Sequence, residues 1–323
     1  MQSEEAKKIC EEITDLINQH IIGKHETVKK LIIALIANGH VLFEDFPGLG
    51  KTQLVKLVSQ IIGLNFKRIQ FTPDLLPADI TGAYIFDLKQ QEFILREGPI
   101  FSQLILADEI NRAPPKTQSA LLEAMGESQV SIEGRTFSLK PPFWVIATQN
   151  PIEIEGTFAL PEAQLDRFLV RLNLGYPSFT DEQTIMSNRM LRKQELMIVE
   201  KKIEIEQFME IQKMVEEVTV VPDILKYIVD IVHATRSHEK LEVGASPRGS
   251  LALLALSRAS AVFHGRTFVT PEDVKDFIVP ALAHRIILKS SEWLGGSASE
   301  AIIEDIISKT VAPRKDISFE NLK

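Results

Sequence analysis

The stretch HVLFEDFPGLGKT, residues 40–52, constrains this chain more than any other. An apolar run from Val41 to Phe43 enters a turn with Gly48 and Gly50, and Lys51-Thr52 follows where Leu54, Val55, Leu57, Val58 and Ile61 begin to repeat at helical spacing. A strand, a glycine loop and a helix in that order describe a loop that wraps a triphosphate. Its glycines let main-chain N–H groups point at phosphate oxygens, its lysine reaches the β and γ phosphates, and its threonine hydroxyl ligates Mg²⁺. The phosphate-binding residues expected here are Pro47, Gly48, Leu49, Gly50, Lys51, Thr52 and Gln53, at the positive N-terminal end of a helix over 51–62. In the general pattern G-x-x-x-x-G-K-[ST], a glycine stands where this chain has Asp45. The competing reading is an ordinary glycine turn with Lys51 and Thr52 on the surface.

A second apolar strand, Leu104 to Ala107, ends in Asp108 and Glu109. Two carboxylates then stand at the carboxyl end of a sheet, where α/β folds bind ligands. Asp108 is expected to hold Mg²⁺ and Glu109 to orient and deprotonate a water, the pair that phosphoanhydride hydrolysis needs. Alone, the pair would be read as capping the next helix; beside the phosphate loop it reads as catalytic.

With 323 residues the chain exceeds the usual single-domain size, so two domains are expected. The net charge of −8, with 44 acidic against 36 basic residues and no long basic run, argues against nucleic acid as the main partner. The single cysteine, Cys10, excludes a disulfide framework and sits in a helical pattern where it packs. The seven histidines form no ligand cluster. Residues 31–37 are apolar but far short of the roughly 20 that span a bilayer, and no signal-peptide core precedes them. A cytoplasmic soluble protein without membrane insertion is expected.

Helical patterns over 4–20 and 26–38 precede alternating strands and helices that run to about Tyr176. Strands at 66–71, 143–148 and 169–174 join the two motif strands, giving a doubly wound α/β domain with five core strands. The segments 83–96 and 129–140 alternate apolar and polar residues around turns and read as inserted hairpins. Tyr176-Pro177-Ser178 is the natural seam. Beyond it, amphipathic helices over 182–197, 205–218, 223–237, 247–263 and 271–284 describe an all-helical second domain.

Four motifs, in order, now resemble the MoxR branch of the AAA+ ATPases: EDFPGLGKT, LADEINRAPPKTQSALLEAM over 106–125, ATQNP over 147–151 and LPEAQLDRF over 160–168. The likeness runs from Ile22-Gly23 to the SPRGSLAL segment at 246–253. It implies that residues 1–177 form an AAA+ nucleotide-binding domain with two hairpin inserts, and 178–323 a helical lid. It further implies that Asn150 is the sensor-1 amide, Arg167 the finger that enters a neighbour's site, and Arg248 the sensor-2 arginine contacting the γ phosphate. Ile22 and Gly23 would line the adenine pocket, and Arg171 is a weaker finger candidate, since strand alternation aims it elsewhere. The implied activity is that of an ATPase using ATP and Mg²⁺ in a homo-oligomeric ring, expected to be a hexamer. The implied partners are a von Willebrand factor A domain protein and a protein client. Two other readings stay open at this point. One is a nucleotide-gated binding module with little turnover; the other is a DNA-remodelling motor, for which Arg135 and Lys140 in the second hairpin are the only basic residues at hand.

Overall fold

The computed structural model describes residues 1–151, 157–193, 199, 203–289 and 298–313. Contacts divide the chain into two compact units, Ile9–Met209 in one and Met1–Lys8 with Glu210–Lys323 in the other. The contact boundary therefore falls later than the Pro177 seam, because the helix after Pro177 groups with the α/β unit.

In the α/β unit, the part of α1 (Ser3–Asn18) from Ile9 onward and α2 (His25–Ile36) precede β1 (Val41–Glu44), α3 (Lys51–Ile62), β2 (Phe66–Gln70) and the short α4 (Pro77–Thr81). The first hairpin, β3 (Gly82–Asp87) with β4 (Glu92–Glu97), leads to β5 (Leu104–Asp108) and α5 (Pro115–Glu127). The second hairpin follows as β6 (Gln129–Ile132) and β7 (Arg135–Ser138), then β8 (Trp144–Gln149), α6 (Glu162–Leu165), β9 (Val170–Leu172) and α7 (Phe179–Arg192).

The five core strands are parallel in the order β2-β5-β8-β1-β9. Apolar runs buried on both faces are what such a sheet requires, and Leu104 to Ala107 and Trp144 to Ala147 are buried throughout. The register sets Gln70 beside Asp108 and Glu44 beside Gln149, so polar residues gather at the carboxyl edge. β8 lies between the two motif strands, as expected for the strand that delivers Asn150.

His40 locks the start of β1. Its Nδ1 accepts the Val145 N–H at 3.0 Å, so in the neutral ring Nε2 carries the proton and donates to the Met125 carbonyl at 3.1 Å. Burial pushes this imidazole down to about 4, which keeps it neutral. Cys10 is buried in α1, and burial first, then the nearby Glu11 charge, pushes its thiol up to about 12. The second hairpin turns on Glu133 and Gly134, both at positive φ (48° and 79°), a turn whose twist suits two-residue hairpins. In the first, the Asp87 carboxylate accepts the Lys89 N–H at 2.7 Å and orders the connection.

In the other unit, the part of α8 (Ile205–Val215) from Glu210 onward leads into α9 (Pro222–Ser237), α10 (Pro247–Phe263), α11 (Pro271–Leu282) and α12 (Ala298–Lys309). A two-stranded ribbon of β10 (Leu241–Val243) and β11 (Ile287–Leu288) supplements these helices. The expected helix over 182–197 is α7 in its described part, and 194–197 lie outside the described residues. No helix among the described residues is long and apolar enough to cross a membrane.

A buried ion pair anchors this unit. Asp273 accepts from both Nη atoms of Arg266 at 2.7 Å, from Ser260 Oγ at 2.7 Å and from Thr270 N at 2.8 Å. Burial opposes its charge, yet the donors from Arg266, Ser260 and Thr270 hold the carboxyl below its ordinary value. A depressed folded-state value means that the stabilisation is complete above the unfolded value of 3.8 and is lost as pH falls through the folded one. Asp273→Asn should cost about 2–3 kcal/mol in denaturant unfolding near neutral pH. That sits below the limit for a fully buried pair because the Arg266 side chain is still 26% exposed. The penalty should shrink as the parent is acidified below 3.8.

Candidate nucleotide site

The phosphate loop takes its form from two residues. Gly48 and Gly50 adopt φ of 83° and 91°, which side chains with a Cβ rarely do, and Gly50 caps α3. A Cβ built on either would meet nothing within 4 Å, so both face open space. That space is a cleft of about 380 Å³, and Pro47, Gly48, Leu49, Gly50, Lys51, Thr52, Gln53, Asp108, Glu109 and Asn150 all line it. The structure thus brings the whole expected phosphate loop, both carboxylates and the sensor amide together.

Lys51 is largely buried and bends back onto its own loop, donating to the carbonyls of Asp45 at 2.8 Å and Phe46 at 3.0 Å. Burial pulls the ammonium below its ordinary value, while the charges of Asp45, Asp108 and Glu109 oppose that shift. Asp45, which departs from the general pattern, is a buried carboxylate that accepts the main-chain N–H groups of Leu174 and Gly175.

The carboxylates at the end of β5 belong to a closed network. Asp108 Oδ2 accepts from Arg68 Nε at 3.0 Å and Nη2 at 2.7 Å, and its Oδ1 accepts from Thr148 Oγ1 at 2.6 Å. Thr148 in turn accepts the Glu109 N–H at 2.8 Å. Arg68 also donates to Gln70 Oε1 at 2.6 Å, and Gln70 Nε2 donates to Glu109 Oε2 at 2.8 Å, which Arg112 Nη1 meets at 2.9 Å. Glu109 has a φ of 56° and a ψ of 51°, a left-handed backbone at a residue with a side chain. Such strain concentrates at functional sites. Arg68, Gln70, Arg112 and Thr148 escape the sequence reading. The signal that would find Thr148 is a polar residue near the carboxyl end of the apolar strand that starts at Trp144.

A second cavity of about 620 Å³ in the same unit is lined by Ile22, with Gln53 shared between the two cavities and α7 supplying Ile185, Asn188, Arg189 and Arg192. Gly23 admits this arrangement, since a Cβ there would come within 2.3 Å of Asp181 Oδ2 at the start of α7. Arg167 is not among the residues lining either cavity. Its Nη1 donates to the Leu122 carbonyl at 2.8 Å, against Gly126 of α5. Arg171 pairs with Glu44 across β9 and β1 at 2.8 Å, in keeping with the direction that alternation gives it. Arg248 lies in the first turn of α10 with its side chain exposed, and Ser246 Oγ caps its N–H at 3.2 Å.

Residues 40–170 match the family model described as "ATPase family associated with various cellular activities (AAA)", and 233–306 match "AAA lid domain". YeaC of Bacillus subtilis is 47% identical over 92% of each chain. A crystal structure of a candidate ATPase from Cytophaga hutchinsonii superimposes with a TM-score of 0.89 at 38% identity, covering 97% of each chain. Chaperone MoxR1 of Mycobacterium tuberculosis is 39% identical over 92% of this chain and 81% of its own. The chain belongs to the MoxR family of AAA+ ATPases.

In this MoxR chain the two hairpin inserts touch. Arg135 of the second lies over the ring of Tyr84 in the first, 5.4 Å from its centroid, and donates to its hydroxyl at 3.2 Å. Tyr84, Leu95, Phe101 and Phe137 pack on the core, whereas Phe86, Leu88 and Phe93 stay exposed at the outer end of the first hairpin.

Proposed function

We propose that this MoxR-family chain binds and hydrolyses ATP with Mg²⁺ and uses the turnover to remodel or activate a protein complex. The observation that carries the reading is the convergence of Lys51, Thr52, Asp108, Glu109 and Asn150 on one cleft. An all-oxygen pair, the Thr52 hydroxyl and the Asp108 carboxylate, fits Mg²⁺, and the open cradle at Gly48 and Gly50 fits phosphate. Held by Thr52 and Asp108, Mg²⁺ would supply neutralisation of the phosphate charge.

Lys51 exchanges two neutral carbonyl acceptors for charged phosphate oxygens, and its partial burial strengthens that interaction. Glu109 takes the proton of the attacking water on its carboxylate once Gln70 and Arg112 release it, and the Asn150 amide orients that water. Arg167 acts on a neighbour's site in a head-to-tail ring, expected to be a hexamer. Arg248 contacts the γ phosphate, and Ile22 and Gly23 border the base. The chain works in the cytoplasm with a von Willebrand factor A domain partner and a protein client, and the exposed Phe86, Leu88 and Phe93 are a surface for that client. The chaperone name of the Mycobacterium tuberculosis relative supports a remodelling role. Nucleic acid is not the expected substrate, given the net charge of −8 and the lack of a long basic run.

The test is ATP hydrolysis measured against protein concentration, with molar mass followed in parallel. Specific activity that rises as larger assemblies form supports a shared-site enzyme. Negligible activity at every concentration, with ATP still bound, favours the nucleotide-gated module instead. That second reading has its own observation: Glu109 is held by Gln70 and Arg112.

A further inference from the structure

We propose that Asp45 is a positioning residue that fixes the α7 wall of the second cavity against the phosphate loop, an assignment that rests on the ATP-binding reading above. The general loop pattern has glycine here, yet the positive φ values in this loop belong to Gly48 and Gly50 alone, so the backbone makes no demand for glycine at Asp45. The side chain has a different use. It is 6% exposed, and its two oxygens take the N–H groups of Leu174 and Gly175. Its own main-chain carbonyl meets the Lys51 ammonium at 2.8 Å. A buried carboxylate is tolerated only when donors surround it, and these donors tie two chain segments together. Glycine at this position would leave both N–H groups without that acceptor.

The tied segment continues directly into the cavity wall. Thr27 Oγ1 donates to the Asn173 carbonyl at 3.0 Å and Lys24 Nζ to the Tyr176 carbonyl at 2.8 Å, while the Phe46 ring of the phosphate loop meets the Tyr176 ring at 5.6 Å. Pro177, with its fixed φ, then passes the chain to Ser178, the N-cap of α7. Three residues on, Asp181 approaches Gly23, and one turn later Ile185, Asn188 and Arg189 line the cavity. Gly48, Gly50, Lys51 and Thr52 supply the donors of the phosphate cradle, while Asp45 lines the same cleft and acts on Lys51 through its charge, an effect that any bound phosphate chain feels alike. The register between that cradle and the α7 wall depends on the Asp45 carboxylate itself. Asp45 therefore governs how much more tightly a ligand reaching into both cavities is held than one confined to the cradle.

Calorimetric titration of the full chain with MgATP and with magnesium tripolyphosphate separates the two. Asp45→Asn keeps the shape but sets an amide N–H₂ against one of the two N–H donors, and Asp45→Gly restores the general pattern. Because the lost charge beside Lys51 acts on both probes alike, the ratio of the two affinities is the readout, and each variant should weaken MgATP by about tenfold relative to tripolyphosphate, the scale of losing a hydrogen bond to a charged acceptor. Hydrogen exchange at the Leu174 and Gly175 amides should accelerate in both variants. Retained tripolyphosphate binding shows that the variant is folded. An unchanged ratio of the two affinities, or unaltered exchange at those amides, overturns the assignment. A parent chain that binds neither probe overturns the ATP-binding reading along with it.

Discussion

Arg167→Ala should slow ATP hydrolysis by about 10³- to 10⁵-fold, the worth of an arginine that neutralises charge in a phosphoryl-transfer transition state. At about 1.4 kcal/mol per decade this is roughly 4–7 kcal/mol of barrier. ATP affinity should stay within about twofold, because a group acting only in the transition state contributes to rate and not to ground-state binding. The geometry makes the expectation sharp. Arg167 donates to the Leu122 carbonyl and is not among the residues lining its own chain's cleft, so the loss would have to come through a neighbouring subunit. Mixing Arg167→Ala with Lys51→Ala protein then serves as the check. Each inactive chain supplies what the other lacks, so mixed rings should recover activity that neither has alone. No recovery, with mixed rings demonstrated by mass, would remove Arg167 from the role.

Glu109→Gln should retain MgATP and reduce turnover by about 10²- to 10⁴-fold, the range for a positioned general base. The substitution removes proton affinity while keeping length and an acceptor for the Gln70 amide. Its ion pair with Arg112 is solvent-exposed enough, with Arg112 42% accessible, that little stability rests on it. Glutamine adds no backbone conflict beyond what glutamate already bears at a φ of 56°. Single-turnover hydrolysis with trapped nucleotide is the measurement. Parent-like hydrolysis by the variant would exclude Glu109 as the base. Gln70→Ala gives a useful contrast, since it removes one donor from the Glu109 carboxylate and leaves the carboxylate itself in place.

Much of the α/β unit was legible in the sequence because local pattern and global role coincide there. The helix at Lys51–Ile62 and the two hairpins follow from periodicity and turn chemistry, and the carboxylate edge follows from apolar strands that end in polar residues. The network around the carboxylates was less legible. Arg68 and Gln70 lie on β2, a strand whose Lys67 and Arg68 are exposed, and only the β2–β5 register brings them to Asp108 and Glu109. Long-range pairing of that kind leaves no mark in spacing. The Asp45 clamp was hidden for the same reason, its partners Leu174 and Gly175 lying 129 and 130 residues away. The α12 helix escapes because Ile302, Ile303 and Ile306 form a narrow stripe in a short segment, and the β10–β11 ribbon because its strands have three and two residues.

The stacking of Arg135 on Tyr84 has a mechanical side. Two ribbons that enter the fold on either side of α5 are cross-braced at a single cation–aromatic joint, and each is rooted separately in the core through Tyr84 and Phe137. A load applied at Leu88, at the outer tip, is therefore shared between two footings instead of twisting one slender ribbon about its own base.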